Sequence, residues 1–110
     1  MKVHKMTLKQ PYFDLICAGK KTIELRMYDE KRKAIQIGDK IEFTNQDKKC
    51  LADVKGFVRA QTFTELFKFV DVEKTGLETV EKAVNIMQEF YDIDYQKKIG
   101  VVGICIELAE

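Results

Sequence analysis

The chain has 110 residues, enough for one domain with a single modest core. Its 19 basic and 18 acidic residues leave a formal net charge of +1. That balance excludes a global electrostatic pull toward nucleic acid or an anionic membrane, so any polyanion must meet a local patch. Glycines and the single proline are dispersed, and residues 1–110 read as one domain without linker, repeat or low-complexity tract.

Residues 2–8 alternate well enough for a first strand, with His4, Met6 and Leu8 on one face. Residues 10–19 predict a short helix. Pro11 suits its first position, where a missing N–H costs nothing, and Gly19 suits the left-handed turn that ends it. Tyr12, Leu15 and Ile16 supply its apolar stripe. A strand follows at once, with Ile23, Leu25 and Met27 toward a core and Thr22, Glu24 and Arg26 on the other face. Residues 28–36 are highly charged and read as a loop holding at most one helical turn. After a Gly38-Asp39 turn, residues 40–43 resume alternation, and Asn45-Gln46-Asp47-Lys48 reads as a hairpin turn. A longer strand runs from Cys50 to about Gln61, with Gly56 inviting a bulge. Thr62 and Glu65 fit a capping box for a short helix, and residues 77–90 predict a longer one. Residues 91–98 read as an aromatic and polar linker. The near-continuous apolar run 99–108 predicts a central strand covered on both faces.

The pattern amounts to five or six short strands and three helices: an α+β chain built on a small, mainly antiparallel β-barrel. The three cysteines are scattered, His4 is the only histidine, and no metal-ligand spacing occurs. Neither a metal nor another cofactor is expected. With no signal-peptide pattern and no apolar run of membrane-spanning length, a reduced, cytoplasmic setting is expected.

The stretch Gly19-Lys20-Lys21-Thr22-Ile23-Glu24-Leu25-Arg26, with the proline-led helix before it, resembles the signature of the ASCH domain family. That motif reads G-x-K-x-x-E-x-R, and Gly19, Lys21, Glu24 and Arg26 fill its fixed positions. Gly38-Asp39 and the closing Gly100-Val101 strand are similar to the usual pattern. The resemblance implies a PUA-like barrel with a cleft at the motif, in a small stand-alone protein of bacterial or phage type. It also implies a ligand drawn from single-stranded RNA, nucleosides or nucleotides. Some small relatives are amidohydrolases acting on N4-acetylcytidine. Their catalytic set of lysine, threonine and a later glutamate falls on Lys21, Glu24 and near Glu73. Glu24 stands where those enzymes carry threonine, which favours binding over hydrolysis.

Each candidate also has a plainer reading. Glu24 and Arg26 make a same-face pair that on an open surface is worth ~0–1 kcal/mol. In a cleft, Glu24 accepts from the exocyclic amine of a base, while Arg26 binds phosphate or clamps Glu24. Lys21 is either a solvated lysine or, if buried beside another cation, one with a lowered pKa. Lys20 reads as surface with a phosphate-steering role second, and Thr22 as a minor lining residue. Glu73 suits a helix start as well as a general base. Tyr91 and Tyr95 offer stacking surfaces or a core rim. A nucleic-acid or nucleoside-binding module is therefore expected, with a metal-independent amidohydrolase as the alternative. No membrane partner is expected, and the chain is expected to be a monomer or weak dimer.

Overall fold

The computed structural model describes residues 1–109. Its strands are β1 (Val3–Thr7), β2 (Ile23–Met27), β3 (Lys40–Asn45), β4 (Lys48–Ala60) and β5 (Val101–Leu108). Its helices are α1 (Tyr12–Cys17), α2 (Glu30–Lys33), α3 (Phe63–Leu66), α4 (Val80–Phe90) and α5 (Ile93–Ile99), with a 3-10 turn at Val72–Thr75. The strands form one five-stranded sheet in the order β1-β3-β4-β5-β2. It curls into a half-barrel, so the fold is α+β and PUA-like.

The sheet is mixed. β1 pairs in parallel with β3, while the β3–β4, β4–β5 and β5–β2 ladders are antiparallel. The parallel pair needs a long crossover, and residues 8–39, carrying α1, β2 and α2, supply it. β4 and β5 lose register between Val54 and Gly56, the bulge that Gly56 invited. It tightens the local twist and helps the long strand curl. β5 lies between β4 and β2, as its apolar run predicted.

Two cores flank the sheet. Met6, Ile41, Phe43, Val54, Val102 and Ile104 fill the concave interior with Phe13 and Ile16 of α1. Ile23, Leu25, Met27 and Val101 cover the convex side against Phe63, Leu66, Ala83 and Met87. This explains the near-continuous apolar run of β5: its two faces serve two different cores.

Several local expectations shift. The helix placed at residues 77–90 begins at Val80, because the Thr79 hydroxyl accepts from Lys82 N at 3.2 Å and so caps it. Pro11 stands one place before α1, as its N-cap. The presumed linker at 91–98 is mostly helix. Asp92 accepts from Asp94 N and Tyr95 N, and α5 then runs through Ile99, so the last strand starts at Val101. Gln96 locks this helix in place, accepting from Phe63 N at 3.0 Å and donating to Tyr91 O at 2.8 Å. With α2 as the single turn allowed at 28–36, the three expected helices become five.

Candidate functional site: an ionic triad at the floor of a cleft

β2 and β1 are the two edges of the half-barrel. Arg26 reaches across the gap between them, its Nη2 donating to Thr7 O at 3.2 Å. Strand alternation turns Glu24 and Arg26 away from the helix-covered face and toward the concave side. There Glu24 is as buried as a core residue, at 4% exposure.

Glu24 binds a cation with each oxygen. Oε1 lies 3.1 Å from Lys21 Nζ, and Oε2 accepts from Arg26 Nε at 2.7 Å. Lys21 is also 4% exposed and donates to Ile23 O and Thr75 O, each at 2.7 Å. Two of the three ammonium donors thus go to backbone carbonyls, and the Glu24 carboxylate stands within ion-pair distance of the same nitrogen. Burial pulls the Lys21 pKa below the ordinary lysine value; Glu24 opposes the shift and Arg26 adds to it. Lys21 thus ties the start of β2 to the 3-10 turn and fixes Glu24 from behind. Gly76 makes room for it. That residue adopts φ +83°, and a Cβ there would lie 3.3 Å from Lys21 Cδ and 3.2 Å from Leu15 Cδ1.

The triad floors a cavity of about 200 Å³. Thr7, Leu8, Lys9 and Tyr12 form one wall; Leu77, Ile86, Met87, Phe90 and Tyr91 form the other. Lys21 Nζ lies 5.9 Å from the centre of the Tyr12 ring, and Lys9 Nζ lies 5.3 Å from that of Phe90. Phe90 is 59% exposed at the end of α4, an aromatic ring left in water at the rim. Charge at the base and apolar, aromatic walls suit a flat ligand with a polar edge.

Of the residues singled out from sequence, Lys21, Glu24, Arg26 and Tyr91 meet in this cavity. Lys20 is exposed and does not line it. Thr22 precedes β2 and lines a different depression, beside Gly19, Lys55 and Glu107. Glu73 is exposed in the 3-10 turn; what that turn delivers to the triad is the Thr75 carbonyl. Tyr95, on α5, is 43% exposed and lies outside the cavity. Phe90, Tyr12, Met87 and Lys9 were missed as lining residues. Tyr12 and Met87 occupy core-facing stripes, where sequence cannot separate a cavity wall from a core. Among the described residues no group of three or more His, Cys, Asp or Glu side chains is placed to hold a metal ion. None of the described helices is long and apolar enough to cross a membrane.

A curled mixed sheet with an inward polar motif at its open seam defines a PUA-like class of domain. The ASCH domain profile matches residues 6–110, and the chain belongs to the ASCH domain family. Among solved structures, it is 40% identical to hypothetical protein PH0355, with a TM-score of 0.87 and coverage of 99% of this chain and 100% of that one. It is 35% identical to protein PF0455 from Pyrococcus furiosus, with a TM-score of 0.79 and coverage of 100% and 99%. The ASCH protein from Zymomonas mobilis shares the fold at 12% identity, with a TM-score of 0.70 over 96% of this chain and 66% of that one. No curated protein matches the chain.

Proposed function

We propose that the cleft binds a single nucleobase, presented by single-stranded RNA or by a free nucleoside or nucleotide. The observation that carries this reading is Glu24, a buried carboxylate held from two sides by cations at the floor of an aromatic-walled cavity. A carboxylate in that position accepts from an exocyclic amine, as carboxylates do with cytosine N4. Arg26 uses Nε and Nη2 within the protein, and its Nη1 makes no hydrogen bond among the described residues. That nitrogen is available to an acceptor on the same base edge. The base faces would lie against Tyr12, Phe90 or Tyr91, where stacking is worth about 1–3 kcal/mol per base.

The amidohydrolase reading draws support from the lowered pKa of Lys21. Against it stand the ties of the Lys21 ammonium to two backbone carbonyls and to Glu24, and the position of Glu73 outside the cavity. Binding is therefore the better-supported function. The test is a fluorescence titration with short C-rich and U-rich RNAs at low salt, alongside cytidine and uridine monitored by NMR. Saturable binding that prefers the amine-bearing base, weakened by Phe90→Ala, is expected. Absence of binding by every ligand refutes the proposal. Release of cytidine from N4-acetylcytidine, abolished by Lys21→Ala, would establish the hydrolase instead.

A further inference from the structure

Arg59 has no part in the cleft just described, yet it shares a sheet row with Arg26. Both residues face Val102, Arg26 from β2 and Arg59 from β4. Directly opposed residues on paired strands project to the same face. The two guanidinium groups therefore rise from one face, on backbones about 10 Å apart across two strand spacings.

Arg59 is exposed and makes no ion pair among the described residues. It is nevertheless held. Its Cζ lies over the Tyr28 ring, 3.8 Å from the ring centre and within stacking distance, and its N–H groups make no side-chain hydrogen bond among the described residues. Tyr28 directly follows β2 and extends its ladder, its N–H donating to Gly100 O at 3.0 Å. It sits two residues beyond Arg26, on the same side of the strand. Lys33 Nζ stands 5.6 Å from the same ring. Arg32, four positions along the chain from Tyr28, is paired with Asp29, and its Nε is buried without a hydrogen-bond partner among the described residues. Two cations, Arg59 and Lys33, thus lie against one ring in a chain of net charge +1; Lys33 also pairs with Glu30 at 3.4 Å, whereas Arg59 carries its charge without an acidic partner among the described residues.

Resting on the base-binding reading of the cleft, we infer that Arg59, stacked on Tyr28, is a second contact that binds the phosphodiester of the nucleotide adjoining the bound base. The ligand class is then a single-stranded polynucleotide rather than a free nucleoside. A guanidinium stiffened by stacking presents a planar fork that matches phosphate oxygens, and it loses less freedom on binding than a loose lysine. A neighbouring acidic protein segment is the competing occupant, and it would show no preference for a polynucleotide.

The experiment compares wild type, Arg59→Gln and Arg59→Lys against three probes: cytidine, cytidine 5′-monophosphate and a labelled six-nucleotide C-rich RNA, over a KCl series. Arg59 is exposed, so the variants should keep the wild-type circular dichroism. Arg59→Gln is expected to weaken the RNA about tenfold, with the cytidine and monophosphate affinities unchanged. It should also reduce the slope of log K against log salt by about 0.7, the loss of one single-strand phosphate contact. Arg59→Lys should keep that slope while losing part of the affinity. RNA binding that keeps its affinity and salt slope in Arg59→Gln, yet falls in Phe90→Ala, overturns the second contact and spares the cleft. An equal loss of the monophosphate also overturns it, because the phosphate would then belong to the bound nucleotide itself. Failure of the wild type to bind any of the three probes overturns both proposals.

Discussion

Replacing Glu24 with glutamine removes one negative charge from between two cations while barely changing volume. Lys21 and Glu24 are each 4% exposed, and the Arg26 side chain is 16% exposed, so water can do little to compensate. Two unit charges 4 Å apart attract by about 4 kcal/mol at an effective dielectric constant near 20. Breaking a buried pair by removing one partner costs about 3–5 kcal/mol. Lys21 offers a second limit, because it can shed its proton. For a lysine of ordinary pKa that costs about 4.6 kcal/mol at pH 7, and burial has already lowered the Lys21 pKa. Glu24→Gln should therefore destabilise the chain by about 3–4 kcal/mol at neutral pH, a large part of a typical domain's stability.

The loss should depend on pH. Without Glu24 to oppose the effect of burial, the folded-state pKa of Lys21 falls further below its unfolded value. The unfolded chain then binds more protons than the folded one in the window below the ordinary lysine pKa, so the variant gains stability as pH rises through it. Urea unfolding at pH 7 and 9.5 should show the gap between wild type and variant narrowing at the higher pH. The triple variant Lys21→Met, Glu24→Leu, Arg26→Met, which leaves no stranded charge, should recover much of the loss. A Glu24→Gln penalty below about 1 kcal/mol, or one independent of pH, would refute the argument that the triad is a desolvated ionic unit.

Three further outcomes are expected. Gly76→Ala should lower the melting temperature by the equivalent of about 1–2 kcal/mol or more. It places a Cβ 3.2 Å from Leu15 Cδ1 at a backbone φ of +83°. Gly38→Ala, at φ +95° with no atom within 4 Å of the new Cβ, should show the backbone part alone. Gln96→Leu should cost about 1–3 kcal/mol for each backbone group it strands, here Phe63 N and Tyr91 O, read by thermal unfolding. Asp39 accepts from His4, Gln36 N and Lys2 N, which hold its carboxyl well below the ordinary carboxylate range. Its stabilising contribution is complete above the unfolded aspartate pKa of about 3.9 and is lost progressively as pH falls from there toward the lower folded-state pKa. Melting temperatures followed from pH 5 down to pH 2 should therefore drop more steeply for wild type than for Asp39→Asn, with the difference appearing below about pH 4.

Most of the strands were legible because their signals are local. Alternation placed β2 and β3, glycine marked the bulge in β4, and the apolar run of β5 announced a strand covered on both faces. The helix at Ile93–Ile99 was not legible, since its cohesion rests on Gln96 bonding to Phe63, 33 residues away. Likewise the parallel pairing of β1 with β3 depends on a crossover that no local pattern encodes.

The site divides in the same way. Spacing along β2 by itself put Glu24 and Arg26 on one face, two residues apart, with a lysine close before them. Whether that face met water or protein was decided by closure of the half-barrel and by the 3-10 turn that brings the Thr75 carbonyl to Lys21. Burial turned an ordinary surface ion pair into a desolvated triad, and it excluded Glu73 and Thr22 from the cleft while admitting Phe90. Residue order sets which side chains share a strand face. Dielectric environment and concavity belong to segments far apart in the chain, and they exist only once those segments have packed.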